Sequence, residues 1–123
     1  MKKEFKRIKN KLGNIYKIFS SKNRKNLVQE IYISEIKYKK IKGWNYHKKA
    51  TSNLIVILGK VEFKITKNFL HFKKIVLDDK NHKYLIIKPK TWFCFEGKSK
   101  KNKILNFSNF QHNKNEIKKK KLN

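Results

Sequence analysis

Leu54-Ile55-Val56-Ile57-Leu58-Gly59-Lys60-Val61-Glu62-Phe63-Lys64-Ile65-Thr66 is the stretch on which the fold turns. Its first five residues are an unbroken apolar run closed by glycine, as a strand buried on both faces reads. After Gly59 the pattern changes to strict alternation, with Val61, Phe63 and Ile65 set against Lys60, Glu62, Lys64 and Thr66. That period of two predicts a strand with one dry and one wet face.

The same signal repeats in both directions. Strands are expected over 15–19, within 28–38, from Lys42 onward, over 69–77, 84–87, 91–95 and 104–107. Asp78-Asp79-Lys80-Asn81 reads as a turn, and 97–102 (GKSKKN) reads as a hairpin loop. Phe5, Ile8 and Leu12 recur at spacings of three and four, so 2–12 is expected to be a short basic amphipathic helix or turn. Many short strands at close spacing, with one proline and four glycines, predict a mostly-β sandwich or barrel. The chain divides on this basis into a basic N-terminal segment (1–27), a β domain (28–117) and a Lys-rich tail (118–123).

With 123 residues there is room for one core, and 13% aromatic content argues that it is packed. A single cysteine, Cys94, excludes an internal disulfide and fits a reducing compartment. Residues 1–20 lack the continuous apolar stretch of a secretory leader, and Leu54–Leu58 is too short to span a bilayer. A cytoplasmic location without a membrane span is expected. The formal charge of +26 points toward nucleic acid. Against it, only Arg7 and Arg24 are arginine, the residue that reads bases and phosphates bidentately, and the lysines run through the whole chain. Nucleic-acid binding therefore stands third among the functional readings.

Chemistry has few candidates. His47, His71, His82 and His112 do not fall at metal-ligand spacing, so no metal or other cofactor is expected. Cys94 lies in Trp92-Phe93-Cys94-Phe95, an apolar setting that makes a thiol inert. What remains is Ile41-Lys42-Gly43-Trp44-Asn45-Tyr46-His47-Lys48-Lys49. Regular alternation would put Lys42, Trp44, Tyr46 and Lys48 on one face and Gly43, Asn45 and His47 on the other. Asn45 and His47 would then share one space near lysines, suited to a polar anionic ligand.

This block, followed in order by Asn53–Val61, Asn81–Gly97, Ile104–Phe107 and His112–Ile117, resembles the dTDP-4-dehydrorhamnose 3,5-epimerases and dTDP-sugar 3,4-ketoisomerases. The epimerases carry Arg-Gly-x-His and the ketoisomerases Arg-Gly-x-His-x-His-Lys. The resemblance implies a small cupin-type β-barrel, or jelly roll, that is dimeric and acts on a dTDP-4-keto-6-deoxy sugar in polysaccharide or glycan synthesis. It places Lys42 at the Arg that faces phosphate, Asn45 at the first His, His47 at the second and Lys48 at the Lys. The family's general base falls on Asn45, which cannot accept a proton, whereas histidine titrates near neutral pH. His47 is thus the expected acid–base residue. Lys42, Asn45, Tyr46, Lys48, Tyr84 and His112 are the expected substrate contacts. The Asp that orients the base in the family has no counterpart found in this sequence. A non-catalytic sugar-binding or assembly cupin is the alternative.

Overall fold

In the computed structural model, which describes residues 2–18, 28–110 and 115–122, every regular element is a strand. In chain order these are β1 (Lys2–Glu4), β2 (Lys6–Ile8), β3 (Ile15–Lys17), β4 (Glu30–Glu35), β5 (Ile41–His47) and β6 (Ser52–Leu58). They continue as β7 (Lys60–Thr66), β8 (Phe72–Asp78), β9 (Lys83–Ile87), β10 (Trp92–Gly97), β11 (Lys103–Ser108) and β12 (Ile117–Lys119).

Two five-stranded sheets, β1-β9-β6-β11-β4 and β12-β5-β10-β7-β8, face each other, and β2 with β3 forms a separate ribbon. All named pairings are antiparallel. Leu54, Val56, Leu85, Ile87 and Ile104 of the first sheet close a core with Val61, Phe63, Ile75, Leu77, Phe93 and Phe95 of the second. Phe63, Leu77 and Leu85 are wholly buried, each contributing about 1.5–3 kcal/mol by removal from water. The sheets do not close into the expected barrel. They form a jelly-roll-like sandwich whose edges β4 and β12 belong to opposite sheets.

The stretch Leu54–Thr66 does fold as two strands, but Gly59 passes the chain from one sheet to the other. Its φ is 85°, and a Cβ there would meet the Lys101 carbonyl, so glycine is required. The expected hairpin at 97–102 is also a crossing, because β10 and β11 lie in different sheets. Asn102, buried, stabilises it by accepting from the N–H groups of Lys60 and Ser99 and donating to the carbonyls of Ile36 and Ser99.

Two further expectations are corrected. Of the helix or turn expected in 2–12, only a turn at 11–12 forms and the rest is strand at β1 and β2, because the free edge of β9 offers Lys2–Glu4 a ladder while a helix this short does not sustain itself. The N-terminal residues are thereby part of the first sheet. The Lys-rich tail opens as β12, which pairs with β5, and Lys120 exchanges backbone hydrogen bonds with Trp44.

Candidate functional site

The site is built on β5, and β5 is irregular. Along its ladder with β10, Phe93 faces Asn45, Cys94 faces Gly43 and Phe95 faces Lys42, so Trp44 is an extra residue. Such a bulge shifts the alternation by one. Gly43 makes it possible. Its φ is 120°, and a Cβ would lie 2.8 Å from Cys94 Cα, Cys94 Cβ and the Phe93 carbonyl oxygen. Lys42 consequently shares the inward side of the strand with Phe95, rather than the outward side with Tyr46. The side of Lys42 read from regular alternation is corrected accordingly. Trp44 packs against Phe69 and Phe72, and Cys94 is buried with its thiol pushed up by desolvation.

Past the bulge, Asn45 and His47 both face the space between the sheets. They line one cavity of about 110 Å³ with Tyr32 and Ser34 of β4, Asn106 of β11, Phe93, and Ile117 and Lys119 of β12. It has room for several waters and lies between the two edge strands, where the sandwich is open.

His47 is held from four sides. Its carbonyl accepts from Lys90 N–H in the turn after β9, and Ile117 opposes it in the β12 ladder. The Phe93 ring stacks 6.0 Å from the imidazole. Its Nδ1 lies 2.9 Å from Glu116 Oε2, where Glu116 is buried and His47 half-buried. The other oxygen of Glu116 accepts from Lys49 N–H at 2.9 Å and Ala50 N–H at 2.7 Å. Burial alone would raise this carboxyl, but the hydrogen bonds from His47, Lys49 and Ala50 outweigh it and hold Glu116 below the ordinary carboxylate value. An ionised Glu116 can only accept, so Nδ1 carries the proton and Nε2 of the neutral ring keeps a free lone pair. This is the arrangement of an oriented general base, with a carboxylate ready to stabilise the imidazolium.

The opposite wall is polar as well. Asn106 Nδ2 donates to Tyr32 Oη at 2.7 Å. Burial pushes the Tyr32 phenol up, against the lowering effect of that hydrogen bond.

Of the residues expected to contact a ligand, Asn45 and His47 are brought together. Lys42 points away along the strand, its Nζ donating to the Glu35 carbonyl. It lines a second groove with Lys37, Lys40, Lys100, Lys101 and Lys103. Tyr46 lies outside the cavity, its ring 4.9 Å from Trp92 and beneath Lys118. Lys48 is exposed, its N–H donating to the Glu116 carbonyl. Tyr84 lies against Phe5 on the far side of β9 from buried Leu85. His112 falls outside the described residues. No group of three metal-ligating side chains occurs among the described residues. Nor is any helix there long and apolar enough to cross a membrane.

Sequence reasoning missed Glu116, Tyr32 and Asn106. Glu116 had one usable signal, a carboxylate isolated in a Lys- and Asn-rich segment. Tyr32 was masked by its neighbours, since Ile31 and Ile33 read as the buried face while the fold turns them outward.

A comparison with curated protein sequences returns no significant match. Among solved structures, a dTDP sugar isomerase from Desulfovibrio desulfuricans superimposes with a TM-score of 0.83 at 18% identity, covering 98% of this chain and 83% of that one. A histidine-to-asparagine variant of the 3,4-ketoisomerase QdtA from Thermoanaerobacterium thermosaccharolyticum, in complex with TDP-4-keto-6-deoxyglucose, gives 0.81 at 21%, covering 95% and 84%. A dTDP-4-dehydrorhamnose 3,5-epimerase from Elizabethkingia anophelis gives 0.81 at 13%, covering 94% and 72%. These likenesses confirm the fold that the block around Lys42–Lys48 suggested. Residues 2–121 match the family described as FdtA, WxcM-like, C-terminal, and the chain belongs to that family.

Proposed function

We propose that this protein is a sugar-nucleotide isomerase acting on a dTDP-4-keto-6-deoxy sugar, with His47 as the base that removes the proton next to the keto group. The observation that carries the reading is the His47–Glu116 pair set in a cavity with Asn45. Family membership and the sugar-nucleotide isomerases and epimerases among its structural relatives support it. Nε2 takes the proton, Glu116 stabilises the cation that results, and Asn45 supplies a hydrogen bond to the sugar. The expected place of action is the cytoplasm, in glycan or polysaccharide synthesis.

The test is deuterium uptake from D₂O into dTDP-4-keto-6-deoxyglucose, read by mass spectrometry. Wild type should exchange and His47→Ala should not. Equal exchange by both removes His47 from the chemistry. Asn45, standing where the family resemblance puts the general base, favours a second reading as a non-catalytic sugar-binding cupin. That reading predicts calorimetric binding of the dTDP-sugar with no exchange.

We also infer a homodimer through the outer face of the first sheet. Ile31 and Ile33 are 65% and 57% exposed there, beside Leu105 across the ladder. On a chain of charge +26, an exposed apolar patch is the surface on which two copies repel least. Sedimentation should give a dimer, and Ile33→Lys a folded monomer.

A further inference from the structure

The outer face of the second sheet carries a row of rings that the candidate site does not use. Pairing registers set Lys118, Tyr46, Trp92, Thr66 and Phe72 side by side across β12, β5, β10, β7 and β8. Thr66 is buried, and the chain after β7 is tied back onto it. Its Oγ1 accepts from Phe69 N–H at 3.0 Å and donates to the His71 carbonyl at 2.6 Å, which brings the Phe69 ring between Trp92 and Phe72. Ring centroids then follow at 4.9 Å (Tyr46 to Trp92), 5.3 Å (Trp92 to Phe69) and 6.3 Å (Phe69 to Phe72). Phe72 is 45% exposed, and Tyr46, Trp92 and Phe69 are half-buried. Three ammoniums lie over the same rings: Lys118 over Tyr46 at 5.3 Å, Lys120 over Phe69 at 4.0 Å and Lys64 over Phe72 at 4.8 Å. None of the three makes an ion pair among the described residues, because the nearby carboxylates of Glu62 and Glu96 are taken by Lys74 and Lys98.

We propose that this face binds single-stranded nucleic acid, its bases stacking on Tyr46, Trp92, Phe69 and Phe72 while its phosphates take the ammoniums of Lys64, Lys118 and Lys120. The inference is independent of the isomerase reading. A row of rings beneath cations suits a ligand that is flat, apolar-faced and anionic at once, and unpaired bases on a phosphate backbone are all three. A duplex keeps its bases stacked inside and offers the rings nothing. A neutral glycan gives the ammoniums no partner. A second copy of this chain would bring three lysines without ion pairs against three more. On binding, each ammonium leaves its ring for a phosphate. The exchange is favourable because a base–aromatic stack outweighs a cation–π contact at an exposed site, and the phosphate attracts the displaced charge. The scarcity of arginine bears against the reading of base edges, not against stacking, which every base permits. Binding is therefore expected to tolerate sequence. The lysine groove beside Glu35 differs in kind, since no aromatic side chain lines it.

The test is fluorescence anisotropy at low salt, with a labelled oligothymidylate of about 12 nucleotides and an abasic strand of equal length that keeps the phosphates and lacks the bases. Wild type should bind the thymidine strand at least about tenfold more tightly than the abasic one. Phe72→Ala should weaken binding of the thymidine strand about tenfold and leave the abasic strand unchanged. Lys118→Gln combined with Lys120→Gln should reduce the slope of log affinity against log salt by about 1.4. Lys100→Gln, in the groove beside Glu35, should leave the preference for the thymidine strand as it is in wild type. Melting temperatures near that of wild type establish that the variants fold, and the comparison of strands on wild type stands without them. Equal affinity for the two strands overturns the proposal, as does binding to neither. A folded Phe72→Ala that holds the thymidine strand within about twofold of wild type overturns it too. Dextran sulfate that displaces the thymidine strand as well as an unlabelled strand does assigns the face to an anionic glycan instead. Self-association that sedimentation finds in wild type and not in Phe72→Ala assigns it to a second copy.

Discussion

The carboxyl of Glu116 makes three hydrogen bonds at once, to an imidazole and to two consecutive backbone N–H groups. It therefore locks the ring of His47 and the chain that leaves β5 together. Glu116→Gln should lower deuterium exchange by about tenfold or more, because the amide no longer stabilises the imidazolium. The pH dependence follows from the lowered carboxyl. A depressed folded value adds stability that is present above the unfolded value near 4.5 and is lost as pH falls through the folded one. Denaturation midpoints of wild type should thus drop below about pH 4.5, and Glu116→Gln should lose that part of the acid slope. Gly43 is the other decisive residue. Gly43→Ala would force a Cβ to 2.8 Å from Cys94 and Phe93 in a left-handed conformation. It should destabilise the fold by about 2 kcal/mol or more, measured by chemical denaturation.

At the level of elements, two strands determine what the cavity contains. β4 presents Tyr32 and Ser34 inward and Ile31 and Ile33 outward, the reverse of its hydrophobic pattern. An edge strand over a polar cavity can carry that inversion when its apolar face is covered by another copy. β5 carries the bulge that keeps Lys42 on the inward side while taking its ammonium to the far end of the strand. The crossings at Gly59 and at 97–102 hold these strands in register through Asn102, which makes four hydrogen bonds. Asn102→Ala leaves buried backbone groups without partners and should destabilise by about 2–4 kcal/mol, read as a lower denaturation midpoint.

Across the whole molecule the charge is the dominant physical fact. Six lysines converge on the groove beside Glu35 and Ile36, well away from His47. Their attraction for polyanions is long-range and screened by salt. Any nucleic-acid binding should therefore weaken steeply with added salt in a mobility-shift titration. Affinity that persists unchanged to moderate salt, or no binding at low salt, would dispose of the nucleic-acid reading. Dimer formation should respond in the opposite sense, since screening relieves repulsion between two +26 chains while leaving the apolar face unchanged. Sedimentation at rising salt should show an unchanged or larger dimer fraction.

The sequence by itself determined the β class, most strand positions, the burial of Cys94 and the order of blocks that marks the family. Local periodicity and turn chemistry suffice for these, because they depend on residues a few positions apart. It also singled out Asn45 and His47, which share a side wherever the alternation after Gly43 is regular. Only the tertiary structure decided the rest. Glu116 lies 69 residues from His47, and Asn106 lies 74 from Tyr32. No local pattern encodes such pairs, since they arise when β12 pairs with β5 and β11 with β4. The side occupied by Lys42 was equally out of reach. A single-residue bulge inverts alternation without changing composition, and what requires it is the close approach of the β10 backbone to Gly43.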